Sequence, residues 1–201
     1  MAIIVINWNN WSDTIACLQS IFKIDYPNYE IIVVDNGSTN ESISRIRSQF
    51  DSLTILEVGY NSGFSGGVNF GIDCLKNKNV DYILLLNNDT VVEQNFLTEL
   101  VQRVSLDEKI GLIGGTIYYF HDRKKIWSAG GSIKKYTKKT FHFGENQIHV
   151  GHYDVEREVD FLSGCCLLIR REVFEEIGLF DLDYFMYYED VDFCLRAKEA
   201  G

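Results

Sequence analysis

The chain is short of positive charge. Its 201 residues hold 19 Lys and Arg against 29 Asp and Glu, a formal net charge of -10, and a field of that sign repels phosphate backbones. Nucleic acid is excluded as a partner on that ground, and a phosphorylated ligand has to be held by local devices, a bound cation or backbone N–H groups. Long apolar runs are missing too. The longest, from Phe161 to Ile169, is broken by Ser163 and Gly164 and falls well short of the roughly 18 to 20 residues of a membrane span. The apolar start, Met1 to Ile6, has no basic flank and runs into Asn7-Trp8-Asn9-Asn10, so it reads as a first strand and not as a secretory signal. The five cysteines (Cys17, Cys74, Cys165, Cys166 and Cys194) are odd in number and lack C-x-x-C spacing. They support neither a disulfide framework nor a zinc site, and point to small buried side chains in a reducing cytoplasm. Glycine is absent from the turn after the first strand, where a dinucleotide-binding G-x-G-x-x-G would sit. An NAD-dependent oxidoreductase is disfavoured.

What is present is an alternation. Apolar runs at Ala2 to Ile6, Ile31 to Val34, Leu53 to Leu56 and Tyr82 to Leu86 alternate with helically spaced segments. The helices are expected at Asp13 to Phe22 after a Ser12 cap, Glu41 to Phe50, Phe64 to Lys76 and Asn95 to Val104. Strands as evenly apolar as Ile31-Ile32-Val33-Val34 belong in a sheet covered on both faces, which predicts a mostly parallel central sheet with flanking helices. From about Ile110 the pattern turns to Gly-punctuated, aromatic pieces at Ile110 to Tyr119, Ile126 to Ile133, Lys139 to Phe143 and Val159 to Ile169, a mixed second half. Helices at Arg171 to Ile177 and from Glu189 close the chain. No linker divides 1–109 from 110–201, and a chain 46% hydrophobic fills one α/β domain.

Polar residues follow the apolar strands, at the strand ends where open α/β sheets bind ligands. Asp35, closing Val33-Val34-Asp35-Asn36-Gly37-Ser38, could accept the imide N–H of a uracil or thymine ring, or could simply cap the turn together with Ser38. Asp89 ends Leu84-Leu85-Leu86-Asn87-Asn88-Asp89 and suits a hard divalent cation that takes one or two carboxylates plus water and substrate phosphates. Its bland alternative is an Asn-rich turn. Between them, Asn61-Ser62-Gly63-Phe64-Ser65-Gly66-Gly67-Val68-Asn69 opens a helix with small residues that would let a ligand approach closely. Near the end, Tyr188-Glu189-Asp190-Val191-Asp192 opens an amphipathic helix with Val191, Cys194 and Leu195 on one face. The acids there suit a helix N-terminus in any case, and Asp192 with Arg196 has the spacing of an ion pair.

Taken in order, Ile6-Asn7-Trp8-Asn9, Val34-Asp35-Asn36-Gly37-Ser38, Asn61-Ser62-Gly63-Phe64, Leu86-Asn87-Asn88-Asp89, Ser163-Gly164 and Tyr188-Glu189-Asp190-Val191-Asp192 resemble glycosyltransferase family 2, in its bacterial rhamnosyltransferase-like branch. The resemblance covers essentially the whole chain and implies a single GT-A domain, with a nucleotide-binding half (1–109) and a sugar and acceptor half (110–201). It implies Trp8 as the aromatic of the base pocket, Asp35 as the base-binding acid, and Asn9, Asn61, Gly63, Asn69 and Asn88 as further nucleotide contacts. Asp89 becomes the ligand of Mn²⁺ or Mg²⁺ in a D-x-D-like motif that opens here with Asn87, Asp190 the general base, and Ser163, Gly164 and Glu189 contacts of the sugar or acceptor. The implied donor is dTDP-rhamnose or a UDP-sugar, and the acceptor a cell-envelope glycan or lipid-linked sugar. Location follows by analogy: cytoplasmic, with peripheral contact at the inner face of the cell membrane. The same residues also suit a non-catalytic nucleotide-sugar-binding module. A sugar-nucleotide pyrophosphorylase fits less well, since Asn7-Trp8-Asn9-Asn10 has neither the glycine nor the positive charge of its phosphate loop. The resemblance implies further sequence after Gly201. No role is assigned to Trp127 or to His121, His142, His149 and His152.

Overall fold

The computed structural model describes residues 1–201. Four βα units open it: β1 (Ala2–Asn7), α1 (Trp11–Ile21), β2 (Glu30–Asp35), α2 (Ser42–Gln49), β3 (Thr54–Glu57), α3 (Gly63–Asp73), β4 (Tyr82–Asn87) and α4 (Phe96–Ser105). Then come β5 (Leu112–Ile113), a hairpin of β6 (Ile117–Tyr119) and β7 (Asp122–Ser128), and a smaller hairpin of β8 (Gly131–Ile133) and β9 (Thr140–His142). β10 (Cys166–Arg170), α5 (Arg171–Ile177) and α6 (Glu189–Ala200) finish the chain.

The central sheet runs β3-β2-β1-β4-β10-β5, with the first four strands parallel and β10 antiparallel to both its neighbours. Its continuous apolar strands are explained by two cores. Ile4, Val34, Leu85 and Leu167 point to one face and pack with Val68, Ile72 and Phe193. Ile3, Val33, Leu84 and Leu168 point to the other and pack with Leu18, Ile46 and Leu97. Side chains alternate across a strand, so only a run without polar interruptions fills both layers. Each such side chain contributes about 1.5–3 kcal/mol on burial. This is the expected parallel sheet with a mixed second half.

Several boundaries differ from expectation. Helix α1 begins at Trp11, so Ser12 lies inside it and Asn10 takes the N-cap, its amide donating to Asp13 Oδ2 at 2.8 Å. The expected strand from Val159 is interrupted: only Cys166–Arg170 is strand, because the chain turns at Ser163-Gly164, where the Cys166 N–H meets the Ser163 carbonyl. Helix α6 buries Glu189, Phe193 and Cys194, a face different from the Val191, Cys194 and Leu195 stripe. Phe193 goes inside because Phe180 stacks on it at 4.3 Å. The expected Asp192–Arg196 pair forms at 2.8 Å.

The parallel register sets Asn7 beside Asp35 and Asn87 beside Ile6, so three polar strand ends meet where the strand order reverses between β1 and β4. Gly37 closes the β2 loop at φ +78, and a Cβ there would lie 2.3 Å from the Tyr60 carbonyl carbon. Backbone cannot yield as a side-chain tip does. Gly37→Ala is therefore expected to destabilise the fold by roughly 2–4 kcal/mol, read as a lowered denaturation midpoint. A midpoint like wild type would show that this turn is free to relax.

Candidate active site

Asn7, fully buried, is the hub of the strand ends. Its Nδ2 donates to Asp35 Oδ2 at 2.7 Å and to Ser38 Oγ at 3.1 Å, while its Oδ1 accepts from the Thr14 hydroxyl at 2.8 Å. Asp35 also accepts the Ser38 N–H on Oδ1 at 2.8 Å. The turn-capping role is thus present, and each carboxylate oxygen still has a lone pair to offer. Trp8, the next residue after β1, stands 49% exposed at the mouth of this group.

Other residues expected at the nucleotide also make bonds within the protein. Asn9, at φ +55, ties two loops together: its Oδ1 accepts the Thr39 N–H, its N–H donates to Ser38 Oγ, and its carbonyl accepts from Asn40. Asn61 Oδ1 accepts the Gly63 N–H at 3.0 Å. Gly63 lacks a side chain because a Cβ would lie 2.3 Å from the Phe185 carbonyl oxygen, and that same oxygen accepts the Phe64 N–H at 2.8 Å. At the N-terminus of α3, expected to face a ligand, the first two N–H groups are engaged by Asn61 and by the Phe185 carbonyl. Asn69 clamps Phe180 with both ends of its amide, at 2.8 and 3.1 Å. Asn88 donates to Thr14 Oγ1 and the Asn10 carbonyl, and only its Oδ1 remains unengaged. Asn36, which sequence reasoning passed over, is a second buried hub, holding Ser62 and the Gly63 carbonyl.

Two carboxylates stand apart from this scaffold. Asp89, in the turn just past β4, is exposed and makes no hydrogen bond or ion pair. No group of three or more His, Cys, Asp or Glu side chains could cage an ion. The residues therefore fit a sparse divalent site, one carboxylate completed by ligand phosphates and water, and do not fit a structural metal. Asp190 is half-buried at the start of α6. Its Oδ2 accepts the Gly164 N–H at 2.9 Å and its Oδ1 the Val191 N–H at 2.8 Å. Burial raises its pKa above the ordinary aspartate value, while those two bonds and the cationic form of His142 oppose the rise.

Gly164 is small where it must be, since a Cβ there would lie 3.1 Å from the Phe64 ring and 3.8 Å from Asp190 Cβ. Ser163 Oγ accepts the Cys165 N–H at 3.2 Å, a turn contact. Glu189 is buried, its Oε2 has no partner, and burial raises its pKa. The backbone just before it is strained: Tyr187 and Tyr188 sit at φ +72 and +69. Cys165 connects the two carboxylates. Its carbonyl accepts the Asn87 N–H at 3.0 Å, two residues before Asp89, and its neighbour Gly164 donates to Asp190 at 2.9 Å; burial pushes its thiol far up, and both acids add to the rise. Burial likewise holds Cys17 at about 12 and Cys166 at about 11, so these thiols are neutral packing groups, not nucleophiles.

The family model of glycosyl transferase family 2 matches residues 2–178. The chain belongs to that family. Among relatives, a low-salt glycan biosynthesis hexosyltransferase of Haloferax volcanii is 28% identical over all of this chain and 62% of its own length. The N-acetylglucosaminyl-diphospho-decaprenol L-rhamnosyltransferase of Mycobacterium tuberculosis is 27% identical over 85% of this chain and 61% of its own. The chain thus spans about 60% of the length of these two relatives. Among solved structures, GalNAc-T7 with UDP, GalNAc and Mn²⁺ superposes with a TM-score of 0.75 at 17% identity, over 98% of this chain and 40% of that one. A mannosyltransferase of Pyrobaculum calidifontis in complex with GDP-Man and Mn²⁺ gives 0.67 at 18%, over 96% and 50%. These likenesses establish the family 2 chain as a GT-A fold.

Proposed function

We propose that this family 2 chain is the catalytic core of an inverting, metal-dependent glycosyltransferase that moves a sugar from dTDP-rhamnose or a UDP-sugar to a hydroxyl of a cell-envelope glycan or lipid-linked acceptor. The observation that carries the reading is a pair of carboxylates on joined turns: Asp89, exposed and free just past β4, whose Asn87 N–H bonds the Cys165 carbonyl at 3.0 Å, and Asp190, half-buried and held by the N–H groups of Gly164 and Val191. Trp8 and Asp35 take the base, by stacking and by accepting its imide N–H. The acceptor oxygen attacks the anomeric carbon as the bond to the diphosphate oxygen breaks, and the acceptor's proton passes to Asp190. Attack opposite the leaving group inverts the centre, with no covalent enzyme intermediate. Asp89, with Asn88 Oδ1 beside it, would hold Mn²⁺ or Mg²⁺, which offsets charge on the leaving diphosphate when bound.

Two further features fit. The relatives named above include one that acts on a diphospho-decaprenol acceptor, and the residues leading into Asp190 expose Leu182, Phe185, Met186 and Tyr187. An apolar run at the mouth of the base suits an acceptor that carries a lipid and supports peripheral membrane contact. No helix is long and apolar enough to cross a membrane.

The test is release of nucleoside diphosphate from dTDP-rhamnose and UDP-sugars, with and without a short-chain N-acetylglucosaminyl-diphospho-lipid and Mn²⁺. Release that rises with acceptor supports transfer. Tight binding without release in either condition would leave a binding module, and conversion of the nucleotide sugar, on adding pyrophosphate, into nucleoside triphosphate and sugar 1-phosphate would make it a pyrophosphorylase.

A further inference from the structure

The positive charge of the chain is unevenly placed. Between Asp122 and Glu145 there is no acid and there are seven Lys and Arg, while the rest of the chain holds 12 against 29 acids. Four of the seven, Lys134, Lys135, Lys138 and Lys139, sit on the six-residue tip that joins β8 to β9, on either side of Tyr136 and Thr137. All six tip residues are exposed, Tyr136 by 93%. Two backbone bonds close the tip: the Lys134 N–H donates to the Lys139 carbonyl at 2.9 Å, and the Lys138 N–H to the Lys134 carbonyl at 2.8 Å. Four ammonium groups are thereby held on one turn.

None of the four is in an ion pair, whereas eight Lys and Arg elsewhere in the chain are paired with carboxylates. The acid at the base of the hairpin, Asp160, is engaged by the Ser132 hydroxyl, the Ile133 N–H and Lys198. It leaves the tip uncompensated. Lys134 lies over the Phe141 ring at 5.8 Å from its centroid, a contact that keeps its N–H groups open. Lys138 stands at φ +57, a conformation that glycine or asparagine adopts more easily. A charge is kept there at a local cost.

We propose that this tip docks on an anionic phospholipid surface through its four lysines. The proposal rests on the reading of peripheral membrane contact and gives that contact a place of its own, apart from the apolar run before Asp190. Lysine ammonium groups are compact, strongly hydrated charges on flexible stems, suited to a layer of headgroup phosphates with no fixed geometry. A site for one particular phosphate would favour the bidentate fork of arginine, and the tip has none. Tyrosine, apolar in body and polar at its end, is at home at the headgroup level. Charges more than about 8 Å apart are largely screened at physiological ionic strength, so the acids of the body do not cancel the tip at contact. A nucleic acid would have to lie along that acid-rich body, whereas a bilayer is a plane that one tip can meet alone. The base of the hairpin is tied inward, since Gly131 bridges to Phe161 and, three residues on, the Gly164 N–H donates to Asp190. Contact at the tip would therefore set how the second half of the chain stands on the membrane.

The test is partition onto sedimenting vesicles, so it does not depend on turnover. Vesicles of phosphatidylcholine alone are compared with vesicles carrying about 30% phosphatidylglycerol, at about 0.1 M salt. Wild type is expected to bind the phosphatidylglycerol vesicles at least about tenfold more tightly. Each neutralised lysine is expected to cost about fivefold, so Lys134→Gln, Lys135→Gln, Lys138→Gln and Lys139→Gln combined should weaken binding by at least about a hundredfold. The melting temperature should hold, because all four side chains are exposed. The same four positions changed to Arg keep the charge and should stay within about threefold of wild type. Equal wild-type binding to both vesicles overturns the proposal, as does unchanged binding in the Gln variant or a loss that Arg shares. Duplex DNA bound as tightly as the vesicles, and lost in the same Gln variant, overturns it in favour of a nucleic acid. Leu182→Ser with Met186→Ser, measured in parallel, separates the tip from the wider reading. Phosphatidylglycerol binding that survives in the Gln variant and is lost there removes the tip and leaves peripheral membrane contact standing, while no wild-type binding to either vesicle removes both.

Discussion

Asp190→Asn is expected to lower sugar transfer by roughly 10² to 10⁴-fold while leaving the melting temperature and nucleotide affinity near wild type. That span is about 3–5 kcal/mol of lost transition-state stabilisation. Asparagine is close in shape but has one oxygen, so one of the Gly164 and Val191 N–H groups keeps its acceptor and the other loses it, which is expected to lower the melting temperature by only a few degrees. What disappears is the ability to accept the acceptor's proton. The pH profile carries the same signature with a definite sign. Burial raises the Asp190 pKa and the base works only when ionised, so wild-type transfer should fall as pH drops through a value above the ordinary aspartate range. The limb should vanish in the variant. A merely structural Asp190 behaves otherwise, since losing a helix-terminal acid costs about 1 kcal/mol of stability and touches turnover only indirectly. Near-normal transfer in the variant would move attention to Glu189, whose buried Oε2 has no partner.

Asp89→Ala is expected to remove the dependence of nucleotide binding on divalent metal. In wild type, UDP or dTDP should bind at least about tenfold more tightly with Mn²⁺ than with EDTA, a difference of about 1.4 kcal/mol. The variant should bind equally weakly in both. The reasoning is electrostatic: a chain at -10 offers the diphosphate no general attraction, and Asp89 is an exposed carboxylate with no protein partner to compete for it. Its removal is expected to cost the fold little, being a surface change away from caps and core. Wild-type affinity for UDP that is the same in EDTA and Mn²⁺ would overturn the metal assignment.

The sheet was legible in the sequence because it rests on short-range signals. Ile31-Ile32-Val33-Val34 and Ile83-Leu84-Leu85-Leu86 read directly as strands covered on both faces, and helix α5 was bounded correctly by its own residues. The roles of Asn9, Asn61, Gly63 and Asn69 were not legible, because each depends on a partner set by the fold. Asn69 meets Phe180 across 111 residues, and Gly63 is glycine on account of a carbonyl at Phe185. A motif by itself does not show which of its polar groups the chain will engage. The contacts that fix the His142 ring, with Ser128 and Phe161, carried no local signal either.

The Phe185 carbonyl that closes α3 has a kinetic consequence. An open helix N-terminus is a standing anion site, ready for any phosphate in solution. Here the Phe64 N–H of that terminus is taken by the Phe185 carbonyl, and Asp89, proposed to hold the diphosphate through a cation, is itself an anion. If that proposal holds, free inorganic phosphate and uncomplexed nucleotides are expected to bind weakly, and the donor to bind best already paired with its cation. On that reading the cation and the donor are expected to enter together, past a glycine whose Cβ would stand 2.3 Å from the Phe185 carbonyl oxygen.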